Sequence, residues 1–491
     1  MIKKLCILLL SMFTVSVNAY DINLPVHYDT LKNGLRVIIV PDTNVAVVSC
    51  RLYYFVGSMY EGPGTTGLSH LYEHMMFKGT KTLGTTSYQK EIPFIRSLDS
   101  LEKQISRLKT DMDTDNDTLI VSLEEKITTI LDRQRKLIKK DEIWELYQNN
   151  GGTELNAWTG DNMTAYIVTL PKNKTDLFYW IESDRMRNPV LREFYSEKSV
   201  VIEERKMRYE NRPLNNYWER LNALFYVAHP YRQPTIGWMS DLESYTRENL
   251  ENHVLKYYTP DNALIVLAGN IDPTISMKKI KQYFGTIPRA KVHKNEIATR
   301  EPAPIGVTSF VMYDQSNPRI DMIFHTPGHP HPDLYKLDIV DRILSGKTGR
   351  LYKRLVTETN LCIDAGAGND SRLQNGDFSL YAVMKNETNP DSVEKILLEE
   401  IYKISTTPPS IAEMERVTNE IKMSFVSGLN SLEGLSDRLA AYERMGSWKD
   451  MLAYPDIIAS IKSDEIPSIA KKYLNPSKMT IGKLLYKENL K

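Results

Sequence analysis

His70, Glu73 and His74 lie within Gly67-Leu68-Ser69-His70-Leu71-Tyr72-Glu73-His74-Met75-Met76-Phe77. If this stretch is helical, the two imidazoles stand one turn apart on the same face, close enough to share a metal ion, and Glu73 points to that side. Catalytic zinc is usually held by three protein ligands with a water in the open position, and a free carboxylate beside the water can take its proton. The H-x-x-E-H spacing suits that chemistry. It supplies two ligands and a base, so the third ligand must come from elsewhere in the chain.

Ser196 to Arg208 carries the carboxylates that could provide it. Glu197 and Glu204 are two helical turns apart and share a face, whereas Glu203 lies about 100° round from Glu204. The same charge pattern also suits a solvated, salt-bridged helix, so the residues alone leave both uses open.

The elements that must position these groups are legible from periodicity. An Asn33-Gly34 turn leads into the β-branched run Leu35 to Val40, a hairpin signal. Ala46 to Val56 reads as a second strand, broken by Gly57-Ser58 and Gly62-Pro63-Gly64 before the histidine helix. Between Tyr88 and Tyr147 apolar residues recur at spacings of three and four (Leu98, Leu101, Ile105, Leu108, Met112, then Leu123, Ile127, Ile130, Gln134, Leu137), which predicts an antiparallel helical hairpin. Its tip, Asp113 to Thr118, places Asp113, Asp115, Asp117 and Glu124 at calcium-loop positions, but the sixth position is Thr118 rather than glycine. Acidic tips also serve capping and solvation. Strand character resumes at Thr164 to Leu170. Lys174 to Arg187, Arg192 to Asn211 and Thr274 to Phe284 read as helices, and Ala263 to Asn270 as a buried strand.

Proline-rich Arg289 to Pro304 is the linker expected before a second half that repeats strand, long helix, strand and helices. The fold class is therefore α+β: two related domains, each a mostly antiparallel sheet packed by helices, with the helical hairpin inserted in the first. The expected boundaries are 1–19 for a signal peptide, 20–288 for the first domain with the 89–147 insertion, 289–304 for the linker, and 305–491 for the second domain.

At 491 residues, with 42% hydrophobic and 25% charged residues, the composition is that of a globular protein of about two to four domains. With 62 basic and 62 acidic residues, the formal charge is zero, and no global field recruits nucleic acid. Lys3 and Lys4, the apolar run Leu5 to Val17 and the small residues ending at Ala19 read as a cleaved secretory signal. The run is well short of the roughly 20 residues that span a bilayer, and no later membrane span is expected. A periplasmic or secreted protein follows, with Cys50 and Cys362 left in the mature chain, bridged or free.

Three other patterns carry less. Ser345-Gly346-Lys347-Thr348 resembles the end of a phosphate-binding loop, but Asp341 occupies the first glycine position and the backbone cradle cannot form. His325, His329 and His331 are separated by Pro327, Gly328 and Pro330, an irregular loop rather than a second metal site. Tyr53 and Tyr54 read as strand residues.

His70-Leu71-Tyr72-Glu73-His74, then Phe77-Lys78-Gly79-Thr80, then Asn156-Ala157-Trp158-Thr159, then Glu197 with Val200, Val201 and Glu204 together resemble the inverted-motif zinc peptidases of the pitrilysin, insulinase and mitochondrial processing peptidase type. The likeness is greatest to the processing-peptidase-like bacterial members. The order and local spacing of all four blocks match. The resemblance implies Zn2+ bound by His70, His74 and Glu204, with Glu73 activating the water and Glu197 as a supporting carboxylate. Asn156 and Ala157, with Thr159 beside them, match the segment that holds the substrate backbone. It further implies a zinc endopeptidase acting on peptides, paired as a homodimer or with a related subunit, and a second domain that binds no zinc. Asn162 stands where relatives often have aspartate. Val356 and Ile363 stand where many relatives place a substrate-binding arginine and tyrosine, so a partner could complete the site. The rival is a catalytically weak or inactive subunit of a peptidase-like complex, acting in peptide binding or assembly. A purely structural zinc site would be closed by four protein ligands, often cysteines, and neither motif contains one.

Overall fold

The computed structural model describes residues 24–110, 116–291 and 296–487. The segment read as a signal peptide, Asp113 and Asp115 of the acidic tip, and part of the expected linker lie outside the described residues.

Two mixed sheets organise the chain. The first holds β1 (His27–Thr30), β2 (Arg36–Pro41), β3 (Val47–Tyr54), β4 (Thr153–Thr159), β5 (Thr164–Pro171) and β6 (Ala263–Gly269), in the order β1-β2-β6-β3-β5-β4. The second holds β7 (Thr308–Asp314), β8 (Arg319–Pro327), β9 (Cys362–Asp370), β10 (Asn375–Met384) and β11 (Thr480–Tyr486), in the order β7-β11-β8-β10-β9. Each sheet has one parallel pair, β2 with β6 and β7 with β11, and the next three pairings outward are antiparallel in both. The two halves thus share one topology, with β1 added to the first.

Helices in the first half are α1 (Leu68–Met75), α2 (Tyr88–Thr110), α3 (Asp117–Arg135), α4 (Glu142–Gln148), α5 (Thr175–Arg187), α6 (Phe194–Arg205), α7 (Pro213–Phe225), α8 (Met239–Ser244), α9 (Arg247–Tyr257) and α10 (Pro273–Phe284); α11 (Asp333–Leu344) opens the helices of the second half. Among the described residues no helix is long and apolar enough to cross a membrane.

Every residue of β6 is buried, as expected of a strand covered on both faces. Val37, Ile39, Val48, Leu52, Ile265 and Leu267 face the first half's own helices, in one core with Leu71, Phe178, Val254 and Ile280. The alternate residues Ile38, Val40, Tyr53, Leu264 and Val266 pack on Phe425, Leu435, Leu439 and Met451, which lie on the second half's helices Ile411–Leu429, Leu432–Met445 and Asp450–Ser460. In return, Tyr217, Leu221 and Phe225 of α7 pack on Ile323 and Leu484 of the second sheet. Each sheet therefore takes part of its cover from the other half.

The α2–α3 pair is the hairpin expected from the apolar spacing, closed by Leu98, Ile105, Leu123 and Ile127 with Tyr195 of α6 against it. Its base is held by a buried pair: Arg192 Nε donates to both oxygens of Glu91, at 3.0 and 2.9 Å, and Arg192 also donates to the carbonyls of Lys78 and Thr80. Cys50 and Cys362 are both buried free thiols.

Candidate metal centre

The α1 sequence fixes which face meets the core. Leu68, Leu71, Tyr72 and Met75 are buried at the i, i+3, i+4, i+7 spacing of a core-facing stripe. His70, Glu73 and His74 occupy the remaining face. The helix start is set by Gly67, whose φ of +91° is left-handed and whose missing Cβ would sit 2.5 Å from the Ile236 carbonyl oxygen. Glu61 accepts the Gly67 and Ser69 N–H groups, both at 2.6 Å, and so satisfies donors that the first turn leaves free. Burial pushes the Glu61 carboxyl up to about 7 against those hydrogen bonds.

The carboxylates arrive on α6. Phe194, Glu197, Val201 and Arg205 are its buried residues, and Arg205 donates to the Gly237 carbonyl and to both oxygens of Glu219, which fixes the helix end. The expected single helix to Asn211 is instead α6 followed by a widened π turn over Lys206–Glu210. Glu203 faces outward, 65% exposed, and pairs with Lys206 at 2.8 Å. Glu204 is turned inward at 16% exposure, with Oε2 3.4 Å from His74 Nε2 and 3.8 Å from His70 Nε2.

His70, His74 and Glu204 thereby offer three ligand atoms within 4.8 Å of one another, the one such cluster among the described residues. Two imidazole nitrogens and one carboxylate oxygen are a donor set suited to zinc with a position left open. The electrostatics agree. Burial and the neighbouring His74 push His70 down to about 4. Burial also disfavours charge on His74, but its bonds to Glu197 and Glu204 outweigh that and hold it at about 9. The carboxylates thus call for positive charge between the ligand atoms, which a bound cation supplies while displacing the proton. The residues present fit a zinc ion.

Around the cluster, Glu197 spans His74 and the loop that follows α1. Its Oε1 accepts from His74 Nδ1 at 3.0 Å and its Oε2 lies 2.6 Å from Lys78 Nζ. Those contacts hold the Glu197 carboxyl below its usual range although burial opposes this. A carboxylate on the far nitrogen of a ligating histidine fixes its tautomer and ring orientation. Burial raises the Glu73 carboxyl, and the Thr159 hydroxyl, which donates to Glu73 Oε2 at 2.6 Å, opposes that rise.

Asn156 and Ala157 lie on β4, the free edge of the first sheet. Ala157 is buried, whereas Asn156 is exposed and its side-chain oxygen accepts the Ala157 N–H at 2.9 Å. Thr159 sits on the same strand but turns its side chain to Glu73. Asn162 accepts from the Tyr231 hydroxyl at 2.9 Å. Sequence reasoning missed two groups here: Lys78, on Glu197, and Arg208, 3.0 Å from Glu204 Oε1. Both were within its reach, Lys78 one turn beyond His74 and Arg208 one turn beyond Glu204. Of the weaker patterns, His325 stacks on Phe225 at 3.9 Å between ring centres.

Comparison with known proteins bears on family and fold. Residues 36–95 match the family model described as Insulinase (Peptidase family M16), and residues 244–421 match Peptidase M16 inactive domain. The zinc protease PqqE of Helicobacter pylori is 23% identical over 468 residues, covering 93% of this chain and 92% of that protein. The crystal structure of a protease from Helicobacter pylori superposes with a TM-score of 0.79 at 23% identity, over 94% of this chain and 99% of that one. The periplasmic protease PqqL of Escherichia coli superposes with a TM-score of 0.71 at 16% identity, over 94% of this chain but 47% of that chain.

Proposed function

We propose that this chain, which belongs to the insulinase (M16) peptidase family, is a zinc-dependent endopeptidase that hydrolyses peptides or small unfolded polypeptides. The observation that carries the reading is the convergence of His70, His74 and Glu204 beside a partly buried carboxylate, Glu73, that is not one of the three. Relatives named zinc proteases support it.

In this reading His70, His74 and Glu204 hold the metal. Bound there, zinc supplies Lewis acidity to a water and to a carbonyl oxygen. Glu73 accepts the water's proton and returns it to the leaving amine. Burial raises its basicity, and Thr159 fixes which carboxylate oxygen stays free to receive the proton. Glu197 keeps His74 in the tautomer that presents Nε2 to the ion. The free edge of β4, with Asn156 and Ala157, pairs with an extended substrate backbone, which makes recognition backbone-driven and loosely sequence-dependent. A homodimer, or a pair with a related subunit, completes the enzyme. That PqqL is roughly twice the matched length supports such a pairing. The N-terminal sequence pattern supports a periplasmic or secreted location.

A second reading, a catalytically weak or inactive subunit, draws on the inactive-domain model that matches residues 244–421. Zinc content and cleavage of a quenched peptide library separate the two. Wild type is expected to hold one zinc and to cleave, and Glu73→Gln to keep zinc and lose cleavage. A zinc-loaded wild type without activity would favour the second reading, and a Glu73→Gln protein with full activity would remove Glu73 as the base.

A further inference from the structure

The turn that ends β4 is gripped from the second half of the chain. Residues 160–163 join β4 to β5, and Asp161 lies two residues beyond Thr159. On the first-half side, the Ser58 and Met59 N–H groups donate to the carbonyls of Gly160 and Asp161 at 3.2 and 3.0 Å, and the Ser58 hydroxyl donates to Asp161 Oδ1 at 2.9 Å. The approach is close: a Cβ on Gly57 would sit 2.0 Å from the Gly160 oxygen.

On the other side stands Arg372, in the turn between β9 and β10. Its Nη1 donates to Asp161 Oδ2 at 2.9 Å, its Nε to Asp370 Oδ2 at 2.8 Å, and its Nη2 lies 3.4 Å from Asp377 Oδ2. The guanidinium also lies 5.0 and 5.5 Å over the rings of Tyr231 and Tyr226. A planar cation with its nitrogens pinned and its face stacked has little freedom. One positive charge therefore separates three carboxylates, and only Asp161 belongs to the first half. Arg444, also from the second half, donates to the Asn162 carbonyl at 3.3 Å.

We propose that Arg372 is a positioning residue for the first-half site: by fixing Asp161 it sets where β4 ends, and so holds Thr159 against Glu73. Removing the guanidinium takes away the donor that holds Asp161 Oδ2, and the turn after β4 is no longer tied to the turn between β9 and β10. A displacement of about 1 Å at a reacting group can cost about a hundredfold in rate, so a small shift of β4 is enough. The second half, which contributes none of the three ligand atoms, would act on the site through this contact. The kinetic arm rests on the peptidase reading; the positioning itself does not.

The test uses the full chain as wild type, Arg372→Ala, Arg372→Lys, Asp161→Asn, Thr159→Val and the Arg372→Ala/Thr159→Val double variant. Hydrogen exchange is followed over residues 153–164, alongside zinc content, kcat and KM. Arg372→Ala is expected to speed exchange at Trp158 and Thr159 about tenfold. It should lower kcat about tenfold with KM within about twofold, zinc content unchanged. In the Thr159→Val background the same substitution should cost less than about twofold, because the contact it acts through is already gone. Unchanged exchange would overturn the proposal, as would kinetic losses that multiply in the double variant. Should Arg372→Ala not fold, Arg372→Lys and Asp161→Asn carry the same comparisons. A zinc-loaded wild type that cleaves no peptide would sink the peptidase reading, and the exchange measurements would still decide the positioning role.

Discussion

The Thr159 hydroxyl donates its hydrogen bond to Glu73 Oε2 from a strand eighty-six residues further along the chain. In the peptidase reading proposed above, that contact would give the strand a part in the chemistry as well as in holding the substrate backbone. Thr159→Val keeps the shape and removes the donor. A hydrogen bond to a charged group is worth about 1.5–3 kcal/mol, so kcat should fall roughly ten- to a hundredfold with zinc content unchanged. Steady-state kinetics with metal analysis checks it, and an unchanged kcat would show that the hydroxyl has no share in catalysis.

Glu203 and Glu204 adjoin in sequence and part in space. Glu204→Gln should lose zinc at micromolar free metal, because an amide is a poor substitute for the carboxylate ligand. Glu203→Gln, 65% exposed and paired to Lys206, should retain it. Metal titration of the two variants side by side is the measurement, and equal losses would mean the ligand has been misassigned.

Glu197 holds the far nitrogen of His74. Glu197→Ala should weaken zinc binding about ten- to a hundredfold and leave Lys78 without this carboxylate. A competition titration against a chelator reads this out. Unaltered affinity would reduce Glu197 to a partner of Lys78.

Arg192 and Glu91 are a pair with no exposed side-chain surface. Glu91→Ala leaves the guanidinium buried with its charge uncompensated, a change that costs about 3–5 kcal/mol. Since Arg192 also carries the carbonyls of Lys78 and Thr80, urea unfolding should show the loss in stability and hydrogen exchange should show loosening of residues 78–83. A stable variant would mean that the hairpin base does not support the loop after α1.

His253 is buried against Ser69, 3.0 Å from its hydroxyl, and burial, with Lys256 adding to it, pushes the imidazole down to about 3. The unfolded chain takes up a proton near the ordinary histidine value and the folded one does not. Stability is therefore lost as pH falls from about 6.5 towards 3, by about 1.4 kcal/mol per pH unit. Glu61 works the other way between its unfolded value and about 7. The comparison must therefore be between wild type and His253→Gln, whose difference in stability should shrink by that slope as the buffer is acidified. Parallel curves would show that His253 is not held neutral.

Local spacing made much of the candidate metal centre legible. The stripe at Leu68, Leu71, Tyr72 and Met75 dictates which side of α1 the histidines take, and two helical turns suffice to put Glu197 and Glu204 together. The Leu98 and Leu123 repeats gave the hairpin by the same periodicity. Contacts made across long separations were not legible: Thr159 with Glu73, Arg192 with Glu91, Arg372 with Asp161. Such partners share no periodicity, because sheet order and loop closure bring them together. The π turn after α6 also escaped notice, since Lys206 to Glu210 continues the charged pattern of a plain helix. The exchange of helical cover was hidden for a further reason: Ile38 and Leu264 announce that they are buried without saying by what.

That exchange bears on how such a chain can change over generations. The second half contributes none of the three candidate ligand atoms, yet its helices roof the sheet against which α1 packs. Deleting residues 305–491 would strip Ile38, Val40, Leu264 and Val266 to water. A first half without the second would need new cover for this face of its sheet, so the two are constrained to change together.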